Sequence, residues 1–249
     1  MLNHIKNLRA ALGFFSLLPV GRTEALTPEQ FGRLPAFYPL VGLVFGLALG
    51  FLGLLAGEVL PPDLTALALV LFLVVISRGF HLDGLADTAD ALFSHRPRAE
   101  KLAILKDSRQ GTFGVLAIVL SIVIKIQLLT HLVPAAPWLL LLWPAWGRLG
   151  ASVVAVLSRY AGAETGQGRF MVERSGPREL GLAALFTFGP SLIFGPPALL
   201  AAAAALLFGL ALVPVWHRAL GGITGDLLGA SVELTEIFTL VFFYFLTLV

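Results

Sequence analysis

The chain has 249 residues, of which 57% are hydrophobic and 13% charged, and its mean hydropathy is +0.90. Such a composition excludes an ordinary soluble globular enzyme and reads as a polytopic membrane protein. The formal charge of +2 argues against nucleic-acid binding, and the absence of cysteine excludes disulfides, thiolate metal sites and cysteine nucleophiles.

From Met1 to Val20, Leu2, Ile5, Leu8, Leu12 and Phe15 recur at helical spacing against Asn3, Lys6, Asn7 and Arg9. The pattern predicts an interfacial amphipathic helix. A signal peptide is the alternative, but the Phe14–Pro19 stretch lacks a small-residue cleavage pattern. After a polar connector, Gly21 to Arg33, come seven apolar runs read as long enough to cross roughly 30 Å of hydrocarbon. They are Ala36 to Gly57, Leu64 to Arg78, Thr112 to Val133, Trp138 to Leu157, Leu180 to Phe194, Ala198 to Trp216 and Glu233 to Val249. The predicted fold is an all-α transmembrane bundle of about seven spans, with residues 1–249 forming a single integral-membrane catalytic domain and no internal repeat. Gly42, Gly46, Gly50 and Gly53, four to three apart, predict close helix packing along the first span.

If the amino terminus is cytoplasmic, every lysine and arginine outside the spans falls on the inside, as the positive-inside rule requires. The exceptions, Lys125 and Arg148, lie within predicted spans. Intramembrane cations need a partner or a watery cavity, so both are candidate substrate contacts; for Lys125, snorkelling outward is the other possibility.

The chemistry concentrates in His81 to Gly114, which holds five of the fifteen acidic residues. Asp83, Asp87 and Asp90 stand at i, i+4 and i+7 and share one face of a helix. Three like charges there repel. A solvated acidic face is the plain reading, but apolar segments flank the stretch on both sides. A hard divalent cation, Mg²⁺, would remove the conflict, held by these carboxylates together with substrate phosphates. Just before the third span, Lys106 and Arg109 lie three apart and would reach one anion from one helical face. Gly111 allows close backbone approach to a ligand, and Thr112 stands beside it. A second cluster, Gly221 to Glu236, places Thr224, Asp226 and Glu233 where they would complete a metal or substrate shell if the fold brought them beside Asp83. Asp107, Asp226 and His81 are the candidate proton acceptors.

HLDGLADTADAL, KDSRQGTFGVLA and GGITGDLLGASVELTE resemble, in order, the signature segments of the cobalamin synthases, the adenosylcobinamide-GDP ribazoletransferases. FFSLLPV and FYPLVGLVFG resemble that family's amino-terminal segments. Arg78-Gly79-Phe80 departs from a more glycine-rich lead-in, and Ala91 stands where glycine is common. The resemblance implies a Mg²⁺-dependent enzyme of the bacterial inner membrane that joins adenosylcobinamide-GDP to α-ribazole or its 5′-phosphate and releases GMP. It further implies pathway enzymes as partners, while the charge partition places the acidic stretch on the cytoplasmic side and the apolar runs predict contact with membrane lipid. The rival readings are a CDP-alcohol phosphotransferase, an aromatic prenyltransferase and an ion-coupled transporter. The first lacks its DGxxAR core here, the second shows one DxxxD cluster instead of two, and the third lacks an inverted repeat.

Overall fold

Each of the seven apolar runs is a helix, because a backbone in hydrocarbon must satisfy its own hydrogen bonds. The computed structural model describes residues 2–21, 26–162 and 166–248, and for residues 2–5 the backbone alone. Met1, Arg22 and Val249, and the side chains of Leu2, Asn3 and Ile5, lie outside the described residues. Eleven helices and no strand occur among those described. α1 (Leu2–Phe15) precedes α2 (Pro28–Gly57), α3 (Pro62–Ile76), α4 (Phe80–Phe93) and α5 (Arg98–Ile104). The chain continues through α6 (Thr112–Ala135), α7 (Leu139–Leu157), α8 (Gln167–Glu173) and α9 (Pro177–Ile193) to α10 (Pro196–Leu220) and α11 (Gly225–Leu246).

Five helices, α2, α6, α7, α10 and α11, are long and apolar enough to cross a membrane, fewer than the predicted seven. α3 has 15 residues and α9 has 17, about 22 and 26 Å at the helical rise. α3 qualifies only as one broken span with α4, and that pair is bent by 88°. The break has a local cause. Arg78 and Gly79 adopt φ of 63° and 64°, and their backbone N–H groups return to the Val75 and Val74 carbonyls at 3.0 and 2.8 Å. This is a Schellman closure, with an exposed arginine where glycine ordinarily takes the left-handed conformation.

The amphipathic α1 packs on α2 and buries Asn7, Ala10, Ala11 and Phe15, while Lys6 and Arg9 stay exposed. Asn7, read as part of the polar face, is therefore turned inward. α7 is apolar nearly all round and is enclosed by α2, α9, α10 and α11. The glycines permit this. A Cβ at Gly42 would stand 2.6 Å from the Pro144 carbonyl oxygen, and one at Gly209 would stand 2.9 Å from the Gly150 Cα. Proline is tolerated for a similar reason: Pro39 has no N–H for the Pro35 carbonyl, and the Ser152 hydroxyl of α7 donates to it at 2.8 Å.

α11 begins eight residues before the predicted span, capped by Thr224, whose hydroxyl accepts from the Leu227 N–H at 3.4 Å. The whole Gly225–Glu236 motif is thereby helical and runs into the bundle. Arg78→Gly is expected to raise stability by about 1 kcal/mol by removing the left-handed strain at that position. Thermal unfolding in detergent would show it as a higher Tm.

Candidate active site

One end of the bundle gathers the polar motifs. α4 packs antiparallel to the first turns of α11, and glycine sets the separation. A Cβ at Gly84 would lie 2.6 Å from the Asp226 carbonyl oxygen, and one at Gly229 would lie 3.3 Å from the His81 Cα. The segment after α7 is tied to the start of α11 by a short parallel bridge: Ile223 N–H donates to the Arg159 carbonyl at 3.0 Å, and Ala161 N–H donates to the Ile223 carbonyl at 2.9 Å. Between these elements and α1, α2 and α5 opens a cavity of about 620 Å³. Thr224, Asp226 and Lys106 stand in its wall beside aromatic and aliphatic side chains.

Asp83, Asp87 and Asp90 all lie on α4, as their spacing predicts, but their surroundings differ. Asp83 is exposed and Asp87 half-buried. Asp87 faces the charges of Asp83, Asp226 and Asp90, and Asp226 in turn faces Asp83. Asp90 is already engaged. It accepts from the Gly111 N–H at 2.7 Å and the Gly114 N–H at 2.9 Å, and so caps α6 from another helix. The close approach at Gly111 is thus made by the protein's own carboxylate, and Thr112 is exposed at the first turn of α6. No three imidazole or carboxylate groups among the described residues form a complete metal-binding set.

Lys106 and Arg109 do not converge. The chain from Leu105 to Gly111 is irregular, so the helical three-residue spacing does not apply. Lys106 lines the cavity, whereas Arg109 is exposed and donates from Nε and Nη2 to Asp107, the latter at 2.6 Å. The Arg109 side-chain and backbone donors hold the Asp107 carboxyl down to about 2, so at neutral pH it is a committed carboxylate and a poor proton acceptor. Asp226 accepts from the Thr224 hydroxyl at 3.1 Å. Beside it, burial and then the Asp226 charge push the Tyr160 phenol up, which keeps it a donor.

Lys125, Arg148 and Glu233, read as substrate contacts, lie inside the bundle and outside the cavity wall. Lys125 pairs with Glu233 at 2.7 Å and also with Glu236, and Glu236 pairs with Arg148 at 3.1 Å. The Ser121 hydroxyl donates to Glu233 at 2.8 Å. The lysine thus neither snorkels nor opens onto a wide cavity; its partners reach it from α11. Arg148 also donates to the Pro144 carbonyl at 2.7 Å and stacks its guanidinium 4.8 Å over Phe45. Its Nε and Nη2 have no hydrogen-bond partner among the described residues. His81 is buried near these cations and is not in the cavity wall.

The family described as cobalamin-5-phosphate synthase matches residues 7–244. The chain belongs to the cobalamin-5-phosphate synthase family. It is 35% identical to the adenosylcobinamide-GDP ribazoletransferase of Acetivibrio thermocellus over 98% of this chain and 99% of the relative. It is 40% identical to the enzyme of that name from Pseudomonas paraeruginosa, over 95% and 97% of the two chains. The Syntrophobacter fumaroxidans protein of the same name is 38% identical over 92% and 94%. No solved structure matches.

In this cobalamin-5-phosphate synthase family member, sequence reasoning passes over much of the cavity. Tyr38, Phe80, Tyr160 and Met171 line it, yet each is an ordinary aromatic or apolar residue in its segment. A signal in the sequence is the glycine-rich polar run that follows α7 and enters α8, which supplies Gly162, Gly166 and, from the first turn of α8, Gly168 to the wall. Glu236, the shared partner of both buried cations, stood out only as an acid in an apolar span.

Asp90→Ala is expected to lower stability by about 1–2 kcal/mol, the scale of a lost cap. Asp83→Asn at the exposed position should change it by less than about 0.5 kcal/mol; unfolding curves of the two variants in detergent make the comparison. Lys125→Met, which strands two buried carboxylates, is expected to cost about 3–5 kcal/mol. Adding Glu233→Gln should return part of that loss. Strict additivity in this double-mutant cycle would mean that the pair is not coupled.

Proposed function

We propose that the protein is a Mg²⁺-dependent transferase that joins adenosylcobinamide-GDP to α-ribazole, or its 5′-phosphate, yielding adenosylcobalamin, or its phosphate, and GMP. Full-length similarity to adenosylcobinamide-GDP ribazoletransferases supports the reaction. The observation that carries the chemistry is the position of Asp226, a carboxylate that belongs both to the cavity wall and to the acidic group around Asp83 and Asp87. An acceptor in the cavity and a diphosphate at the acidic group would meet there.

Asp83 and Asp87 fit a hard divalent cation. They offer oxygen donors on one helix face, they repel one another, and neither forms an ion pair among the described residues. The small number of free carboxylates suits Mg²⁺, which completes its shell with substrate phosphates. Bound there, the ion would neutralise diphosphate charge. Asp90 then acts by holding α6 against α4 instead of by ligation. Lys106, in the cavity wall, supplies a cation for the phosphates.

In the reaction a ribose hydroxyl oxygen of α-ribazole bonds to the cobinamide-linked phosphorus. The bond from that phosphorus to the bridging oxygen breaks, and GMP departs with that oxygen. Asp226 takes the hydroxyl proton, being the candidate base that stands in the cavity wall and forms no ion pair among the described residues. Rate enhancement comes from orientation and charge neutralisation. The cationic loops support a cytoplasmic-side site in the bacterial inner membrane, where pathway enzymes would deliver the corrinoid.

The test is GMP release by purified protein in nanodiscs given both substrates. Formation should require Mg²⁺, match cobalamin one to one, and fall by about 10²–10³-fold in Asp83→Asn. Equal GMP release with and without the metal, or full activity in the folded variant, would overturn the assignment.

A further inference from the structure

The transfer reaction has two organic partners, and among the described residues a large cavity opens at the acidic end, so the cavity's chemistry should say which partner it takes. At about 620 Å³ it lies within the range of about 300–1,000 Å³ that encloses a drug-sized ligand. A corrinoid macrocycle with its side chains is far larger and must stay at the mouth. The choice is therefore between the guanosine of the donor and the dimethylbenzimidazole nucleoside of the acceptor.

Guanine presents ring and amino N–H donors side by side and is held by a carboxylate reaching that edge. Among the described residues the cavity wall contains one carboxylate, Asp226. That group already accepts from Thr224 and faces Asp83, which sets it at the phosphate end. Apart from Lys106, Gln167, Thr224 and the phenols of Tyr38 and Tyr160, the other side chains of the wall are apolar and suit the faces of a flat heterocycle. Phe14 and Phe80 meet edge to face at 5.8 Å between centroids, and Met171 and Leu102 extend the apolar surface. Glycine backbone makes part of the wall as well: a Cβ at Gly168 would stand 3.1 Å from the Gly225 Cα. An N-substituted benzimidazole has one ring nitrogen acceptor and no N–H, and Tyr160 offers a phenol donor in the same wall.

We infer that this cavity is the slot for the benzimidazole base of the acceptor nucleoside, with Phe80 and Met171 packing on the ring and the ribose directed to Asp226. The inference rests on the transferase reading, since that reading supplies the acceptor. It makes the cavity wall the determinant of which lower base is used.

Two variants test it. Phe80→Ala removes a half-exposed ring, and Leu102→Trp fills the slot from α5, a helix with no fully buried residue. Each is assayed for the KM of both substrates and for α-ribazole binding, read by the benzimidazole fluorescence without turnover. Both variants should weaken α-ribazole binding and raise its KM by about tenfold, the scale of one lost base–aromatic stack, with the KM for adenosylcobinamide-GDP unchanged. A rise confined to adenosylcobinamide-GDP would overturn the inference in favour of guanosine. Unchanged values for both substrates in folded variants would overturn it outright. If wild type releases no GMP, the transferase reading fails instead. Fluorescence binding that still depends on Phe80 and Leu102 would then support the slot by itself, and binding indifferent to both would sink it too.

Discussion

Four charges sealed inside the bundle, Lys125, Arg148, Glu233 and Glu236, set the terms for everything around them. Away from water a single unpartnered charge among them would cost several kcal/mol, so the helices that carry them must meet in one register. α6 supplies the lysine, α7 the arginine and α11 both carboxylates. Two cations meet two anions, and the residual guanidinium charge rests on Phe45. The network lies two to three turns into α11 from Asp226. Fixing Glu233 and Glu236 therefore also fixes where the first turn of α11 presents Asp226.

That register matters because α4 has no room to adjust. Gly84 and Gly229 bring α4 and α11 into backbone contact, and the bend at Arg78–Gly79 aims α4 across the end of α3. Asp90 then joins α4 to the start of α6 through two backbone N–H groups. Acids of one sequence motif thus play different parts. Asp90 holds helices together, whereas Asp83 and Asp87 form no ion pair among the described residues. The same division separates the cations. Lys106 faces the cavity, Arg109 is taken by Asp107, and Lys125 and Arg148 serve the interior.

Hydropathy located every long helix, because an apolar run in hydrocarbon has few alternatives to helix. It overestimated the spans at α3 and α9, since a run of apolar residues does not reveal a left-handed break after Ile76, nor that α9 stops at 17 residues. Periodicity placed Asp83, Asp87 and Asp90 on one face correctly. It failed between Leu105 and Gly111, where the Asp107–Arg109 hydrogen bonds stabilise an irregular chain in place of a helix.

By itself, then, the sequence determined an all-helical membrane architecture, the acidic row on α4 and the family, because hydropathy, spacing and motif are properties of contiguous residues. Which charges meet was decided by tertiary structure alone. Asp90 finds its partner 21 positions away and Ser121 finds Glu233 across 112, and no local pattern records such distances. The cavity is of the same kind: six helices and three loops each contribute one or more ordinary residues, and only their packing brings these into one wall.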